Sequence, residues 1–337
     1  MNLEKIAGYL NLGSMIDSPK EVSGGLLHKM YAVSTTTGKY AVKVLNSEIM
    51  KRPQALQNTI NSEKIACALS KDIPVVASVC VNGNHIHQLD GDYYMVFPWV
   101  EGKSVFAPKI GIAHCRIIGD VLGKIHQLGI RLDGVEPEGD NIIAFEWEHF
   151  LKLAVEQKLQ DKEWFQNYKK SINDIKKWNT EACNAQNRLS LNRVISHRDL
   201  DPKNVMWNEL QVYLIDWEAA GYVNPYQELL EVINYWASDE KGNIQKEYFD
   251  AILESYKIHK DIKNVEWERV LAGSYIGMLG WLEYNVKRAL GIETVDSGDV
   301  EHGEEQVVGT IKELYRYQTK AELIKEWLLN DKSCDRV

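Results

Sequence analysis

Ile195-Ser196-His197-Arg198-Asp199-Leu200-Asp201-Pro202-Lys203-Asn204-Val205-Met206-Trp207, with Tyr213-Leu214-Ile215-Asp216-Trp217-Glu218 close behind, decides how the rest of the chain is read. The stretch is a short polar loop between hydrophobic, strand-like segments. Asp199 is followed five residues later by Asn204, and Asp216 comes twelve residues after that. Phosphoryl transfer needs one carboxylate to orient or deprotonate the attacking hydroxyl, and oxygen ligands to hold magnesium against nucleotide phosphates. Asp199 suits the first task; Asn204 and Asp216 suit the second.

The pattern His-x-Asp-x-x-x-x-Asn followed by hydrophobic-Asp resembles the catalytic loop and metal-binding turn of the protein-kinase-like fold. In detail it resembles the aminoglycoside phosphotransferase and choline kinase family of small-molecule kinases. That resemblance implies an α+β, bilobal architecture. Residues 1–98 would form a nucleotide-binding lobe, an antiparallel β-sheet with one main helix. Residues 99–337 would form a larger, mostly helical lobe for catalysis and substrate binding. It also implies Mg2+ as cofactor and ATP or GTP as phosphoryl donor.

Composition agrees with this frame. A chain of 337 residues has room for about two lobes, each with its own core. With 45% hydrophobic and 26% charged residues it is globular in type. A formal net charge of −9 argues against a nucleic-acid partner, which clustered Lys and Arg would hold. The N-terminus Met1-Asn2-Leu3-Glu4-Lys5 lacks a charged-then-apolar leader. No apolar run reaches the roughly 18 residues of a membrane span, so a cytoplasmic protein without a membrane partner is expected. Cys67, Cys80, Cys115, Cys183 and Cys334 are scattered without a Cys-x-x-Cys pair, which indicates neither a disulfide framework nor a zinc site. A monomer or homodimer is expected.

Outward toward the N-terminus, Gly24 and Gly25 lie between strand-like segments, where backbone N–H groups can approach a polyphosphate without Cβ obstruction. Tyr40-Ala41-Val42-Lys43-Val44-Leu45 alternates with period 2, which puts Ala41 and Lys43 on one face. Ala41 can then lie under an adenine while Lys43 reaches its phosphates. A helix fits residues 55–70, with Ile60, Ile65, Ala66 and Leu69 as its apolar stripe around Glu63. By resemblance, Glu63 forms the ion pair that positions Lys43. Strands are expected at 79–81 and 85–89; His85 and His87 share a face there, but no third metal ligand accompanies them. Tyr93 to Gly102 resembles the hinge between lobes. Met95 would line the back of the base pocket, with Phe97 and Trp99 supplying backbone polar groups.

Toward the C-terminus, apolar positions recur at helical spacing over 110–128, a segment ending in Ile125-His126, and His126 reads as a buried, hydrogen-bonded histidine. Residues 146–187 read as two amphipathic helices, where the resembled family carries an extra substrate subdomain. Only twelve residues separate Asp216 from Glu228, which leaves no room for an activation loop and argues against a protein kinase. Glu228 reads as structural. Helices are expected over 227–238, 246–259, 267–290 and 304–329, with the loop 296–303 the most mobile segment.

The sequence also departs from its relatives. Protein kinases place a lysine two residues after the catalytic Asp, whereas Asp201 stands here, leaving Lys203 or Arg198 to supply charge. Trp217-Glu218 replaces the Phe-Gly of protein kinases, as in the small-molecule group, and Glu218 is a further candidate to hold the metal, directly or through one of its ligands. Asp201, Glu218, Trp236, Trp281, Glu283 and Tyr284 are the candidate substrate residues, because carboxylates and aromatic rings together can hold an amine. The expected reaction moves a γ-phosphoryl group to a hydroxyl of a small, amine-bearing molecule such as an aminoglycoside or amino-alcohol. The alternatives are a catalytically silent nucleotide-binding or structural protein of the spore-coat kind, and a protein kinase.

Overall fold

The computed structural model describes residues 3–22, 28–137, 145–292, 294 and 297–330. A short helix α1 (Leu3–Tyr9) precedes strands β1 (Lys20–Val22), β2 (Lys29–Thr35) and β3 (Gly38–Leu45). Then come α2 (Ser47–Met50), α3 (Ala55–Leu69), β4 (His87–Leu89) and β5 (Asp92–Pro98). The five strands form one antiparallel sheet in the order β1-β2-β3-β5-β4. Val33, Val42, Tyr94 and Val96 turn one face of it onto Leu3, Ile6 and Leu10. The period-2 reading of β3 and the helix at α3 are both realised.

The strand expected at 79–81 is absent. In place of a ladder, that segment makes an isolated bridge between Val81 and Asn84 and a hydrogen bond from Val79 N–H to Val96 O. The Asn82-Gly83 turn, with φ of 53° and 78°, folds the chain back before a ladder can build.

The rest of the chain is mainly helical: α4 (Ile112–Leu128), α5 (Trp147–Glu156), α6 (Glu163–Leu189), α7 (Pro225–Trp236), α8 (Lys246–Lys257), α9 (Trp267–Gly273), α10 (Tyr275–Ala289) and α11 (Ser297–Asn330). Two small antiparallel ladders interrupt it. One pairs β6 (Val194–Ser196) with β9 (Gly221–Val223), the other β7 (Val205–Asn208) with β8 (Gln211–Leu214).

Two cores serve this part. The larger joins α4, α7, α8 and α9 and takes in Ile65, Ala66 and Leu69 of α3, so α3 packs beyond the sheet that precedes it. The smaller joins α5, α6, α10 and α11 around Trp147, Trp164, Tyr168 and Trp178.

Two helix expectations are corrected. The helix at 267–290 breaks at Ser274, whose Oγ bonds to Val270 O at 2.9 Å beside Gly273 and so competes for the helical ladder. The expected loop at 296–303 lies mostly within α11. Asp299 there meets the Arg288 guanidinium at 2.5 Å, and Gly303 lies so close to α10 that a Cβ would stand 2.7 Å from Arg288. That glycine permits helix contact rather than breaking a helix.

Candidate active site

The loop between β6 and β7 is built by local chemistry. Asp201 Oδ1 accepts the Lys203 N–H at 2.8 Å and Pro202 presets the turn, giving a one-turn 3-10 helix over Pro202–Asn204. This delivers Asn204, whose Nδ2 donates to Asp199 O at 2.8 Å and Asp199 Oδ2 at 2.9 Å. With its amide nitrogen so engaged, Asn204 turns its side-chain oxygen away from Asp199. Lys203 Nζ lies 3.2 Å from Asp199 Oδ2, so Lys203 brings positive charge to this carboxylate.

The other candidate cation, Arg198, lays its guanidinium against Gly221, where a Cβ would meet Nη1 at 2.8 Å. Arg198 has φ of +65°, a costly conformation for a residue with a side chain, and its surroundings enforce it. Its N–H donates to Glu228 Oε1 at 2.7 Å. Glu228 Oε2 accepts from His126 Nε2 at 2.7 Å, and Tyr256 Oη is 2.8 Å from His126 Nδ1. Burial alone would raise the Glu228 pKa, but the bonds from His126 and Arg198 hold it below the ordinary carboxylate range.

Asn224 and Pro225 place Glu228. The Asn224 side chain caps α7 by accepting from Tyr226 and Gln227, and its Nδ2 donates to Leu189 O and Asn192 O at 3.0 and 3.1 Å.

His197 is fully buried. Its Nε2–H donates to Ile215 O at 3.0 Å, and its Nδ1 accepts the Asp199 N–H at 3.3 Å, so it ties the two halves of the motif together. Burial lowers its pKa and keeps it neutral. Ile215 N–H returns to Asn204 O at 3.0 Å, and Asp216 follows with φ of +58°.

Across the cleft, Lys43 is 5% exposed, and its Nζ reaches Asp216 Oδ1 at 3.1 Å and Glu218 Oε1 at 2.5 Å. Burial disfavours its charge, yet the two carboxylates outweigh that and raise its pKa. The expected ion pair with Glu63 is not formed. Glu63 Oε2 is satisfied by Ser78, through its N–H at 3.1 Å and its hydroxyl at 2.6 Å. Burial raises the Glu63 pKa, and the Ser78 bonds offset only part of that.

Met95 pairs with Lys43, and Ala41 with Phe97, in the β3–β5 ladder. The hinge differs by one residue of register. Trp99 N–H donates to Lys39 O at 3.0 Å, whereas the Val96 carbonyl faces the other way and accepts Val79 N–H at 2.6 Å. Alternation therefore turns the main-chain groups of Phe97 and Trp99 toward β3, and those of Pro98 and Val100 toward the opposite edge. The Trp99 indole instead lies beneath Lys39 Nζ at 3.8 Å and donates to Glu101 at 2.9 Å.

Among the substrate candidates, Trp236 is corrected. It is fully buried, and its indole N–H donates to Leu200 O at 2.8 Å, so it braces the Asp199 loop from behind. Asp201 caps its turn and Glu218 holds Lys43. Trp281 and Tyr284 lie exposed on α10, with ring centroids 5.6 Å apart, while Glu283 pairs with Lys287 at 2.7 Å. These three belong to the smaller core's helices, and among the described residues no hydrogen bond or ion pair joins them to Asp199. Gly24 and Gly25 lie outside the described residues.

Two residues that sequence reasoning missed stand on α7. Glu231 Oε1 accepts from Tyr235 Oη at 3.1 Å. Desolvation by the atoms packed around its carboxyl, then the Glu228 carboxylate and, more weakly, Asp199, push Glu231 up to about 7, although the residue as a whole is exposed. Helical spacing held the signal, since Glu231 and Tyr235 stand one turn apart and Glu231 follows Glu228 by three.

Oxygen donors at Asn204 and Asp216 fit a hard divalent cation that keeps water and phosphate oxygens as its other ligands. Among the described residues no group of three or more His, Cys, Asp or Glu side chains is arranged to hold a metal ion. No helix of the described residues is long and apolar enough to cross a membrane.

Residues 18–262 match the model of the phosphotransferase enzyme family. The sequence finds no match among curated proteins. The fold resembles spectinomycin phosphotransferase in complex with ADP and spectinomycin, at TM-score 0.65 and 13% identity over 91% of this chain and 96% of that one. It also resembles choline kinase from Cryptosporidium parvum, at TM-score 0.60 and 13% identity over 98% and 100% of the two chains. An aminoglycoside phosphotransferase from Alicyclobacillus acidocaldarius gives TM-score 0.59 and 15% identity over 90% and 92%. At such identities the likeness shows the kinase-like fold.

Proposed function

Since the chain belongs to the phosphotransferase enzyme family and is a phosphotransferase, we propose that it moves the γ-phosphoryl group of ATP to a hydroxyl of a small, amine-bearing molecule. The observation that carries this reading is the convergence of Asp199, Asn204 and Asp216 on one side of a cleft, with buried Lys43 reaching Asp216 from the other.

In this reading Asn204 and Asp216 hold Mg2+, which neutralises charge on the nucleotide phosphates when bound. Asp199, fixed by Asn204 and Lys203, accepts the hydrogen of the acceptor hydroxyl and orients it. Because the transition state of phosphoryl transfer is loose, this orientation matters more than full deprotonation. Lys43 binds phosphate oxygens, and Ala41 and Met95 enclose the base. The Pro98 carbonyl and the Val100 N–H, two residues apart on the free edge of the hinge, suit an adenine edge of one donor and one acceptor. Guanine presents the reverse pair there, which favours ATP over GTP. The boundary between nucleotide and substrate lobes falls at residues 98 and 99.

An acceptor bearing an amine is supported by the carboxylates of Asp201 and Glu231 around Asp199. Trp281, Glu283 and Tyr284 are a more distant candidate wall. The solved structures of similar fold include an aminopropanol kinase and a choline kinase.

The test is nucleotide consumption with Mg2+ across a panel of aminoglycosides, amino-alcohols, choline and neutral sugars, using Asp199→Ala as control. Turnover with an amine-bearing alcohol that the substitution abolishes supports the reading. Turnover only with neutral alcohols removes the amine, and nucleotide binding without turnover on any acceptor favours a silent binding protein.

A further inference from the structure

Glu63 is the residue that the family resemblance nominates to hold Lys43, and the fold gives it other work. Both of its bonds go to Ser78, and Ser78 Oγ lies 2.9 Å from His85 Nδ1, so Glu63 anchors the segment that follows α3. The carboxylate that meets Lys43 is Glu218, two residues beyond Asp216. Glu218 is itself fixed from behind. His28 Nδ1 accepts the Asn46 N–H at 2.9 Å, which leaves its proton on Nε2, 3.5 Å from Glu218 Oε1.

We propose that Glu218, oriented by His28, is the positioning residue for Lys43, taking the part that the helix glutamate plays in protein kinases. This rests on the reading of Lys43 as the phosphate-binding lysine. A buried lysine on a flexible stem has several rotamers, and a carboxylate at 2.5 Å selects the one that crosses the cleft. Asp216 alone cannot serve in this way once its oxygens turn to a metal ion. Glu218 holds the ammonium independently of the metal, and the lobe that carries the catalytic turn thereby sets the lysine of the sheet.

The experiment is calorimetric titration of ATP, in EDTA and in MgCl2, into the wild-type protein and the variants Glu218→Gln, Glu218→Asp, Glu63→Gln, Lys43→Met and Glu218→Gln/Lys43→Met. Circular dichroism confirms that each is folded. Glu218→Gln is expected to weaken metal-free ATP binding about tenfold, a loss of ~1.4 kcal/mol. Glu218→Asp should recover part of it, Glu63→Gln should change it less than twofold, and the double variant should be no weaker than Lys43→Met.

Unchanged or tighter metal-free binding by Glu218→Gln, with only the Mg2+ dependence affected, would overturn the proposal and make Glu218 a metal ligand. A loss in Glu63→Gln equal to that in Glu218→Gln would overturn it in favour of the helix glutamate. Absence of ATP binding by the wild-type protein under both conditions would overturn the kinase reading itself, a different outcome from either.

Discussion

The catalytic turn and the exposed face of α10 are built on opposite principles. In the turn, Asp199, Asn204, His197, Glu228 and the Arg198 N–H each have a partner within 3.3 Å, and most of those partners are main-chain groups or buried side chains. On α10, Trp281 and Tyr284 are 47% and 39% exposed, pair ring to ring and carry the Arg288 guanidinium over Tyr284, beside Gly277 where a Cβ would meet open space. One region spends its interactions on fixing geometry; the other leaves surface open. A transferring phosphoryl group demands the first, and an acceptor that varies between relatives tolerates the second.

The largest effect that would break this contrast is at Asp199. Asp199→Ala should lower turnover by roughly 100-fold to 10,000-fold, the range for loss of a positioned acid–base group, while nucleotide affinity stays within about threefold. Rate assays beside ATP titration check both. Preserved turnover would mean that the wiring of the turn serves stability alone.

Next in size is the support behind the turn. Glu228→Ala leaves His126 Nε2 and the Arg198 N–H without their buried acceptor, and Arg198 without the bond that holds its φ of +65°. Each buried donor left without its acceptor costs about 1–3 kcal/mol, which urea unfolding would register. A cost below about 1 kcal/mol would show that the turn holds its shape without this network.

These two sites also show what the sequence could and could not disclose. Asp199, Asn204 and Asp216 were legible because short-range spacing and turn chemistry, Asp201-Pro202 above all, determine where they point. Lys43 was legible from strand alternation. Its partner was not: Glu63 and Glu218 are both acidic and both at suitable distances along the chain, and only tertiary packing, with Ser78 engaging Glu63, separates them. The hinge shows the same limit at finer scale. The residues were located, but which of them turn main-chain groups outward depends on ladder register, and a slip of one reverses it. Trp236 reads as any aromatic on an amphipathic helix does, and only the fold shows that its N–H braces Leu200.

On the open face the expected effects are smaller. Trp281→Ala removes a half-exposed ring, so stability should move by about 1 kcal/mol or less. If the face receives a cationic acceptor, its KM should rise by about threefold to tenfold with kcat unchanged, the size of a half-exposed cation–π contact. Equal kinetics for the two proteins would assign acceptor binding to α7 rather than α10, and so sharpen the contrast.

The smallest effect concerns Glu231, which stands between the two regimes, bonded to Tyr235 yet exposed. Its pKa is raised to about 7 by burial and by Glu228, so the folded protein binds a proton there that the unfolded chain, with an ordinary carboxylate, has released. Stability from this group is therefore complete below the ordinary carboxylate pKa of about 4.3 and is lost as pH rises through about 7. Glu231→Gln carries no such charge. Its Tm relative to the parent should rise between pH 5 and pH 8, by only about 1–2 °C because solvent screens a partly exposed group and the chain is long. A difference that stays flat across that range would mean that water reaches the carboxylate freely and that the α7 wall is as open as the α10 face. A rise would place Glu231 with the wired region, as a carboxylate kept half-protonated near neutrality and charged fully only when a cation approaches it.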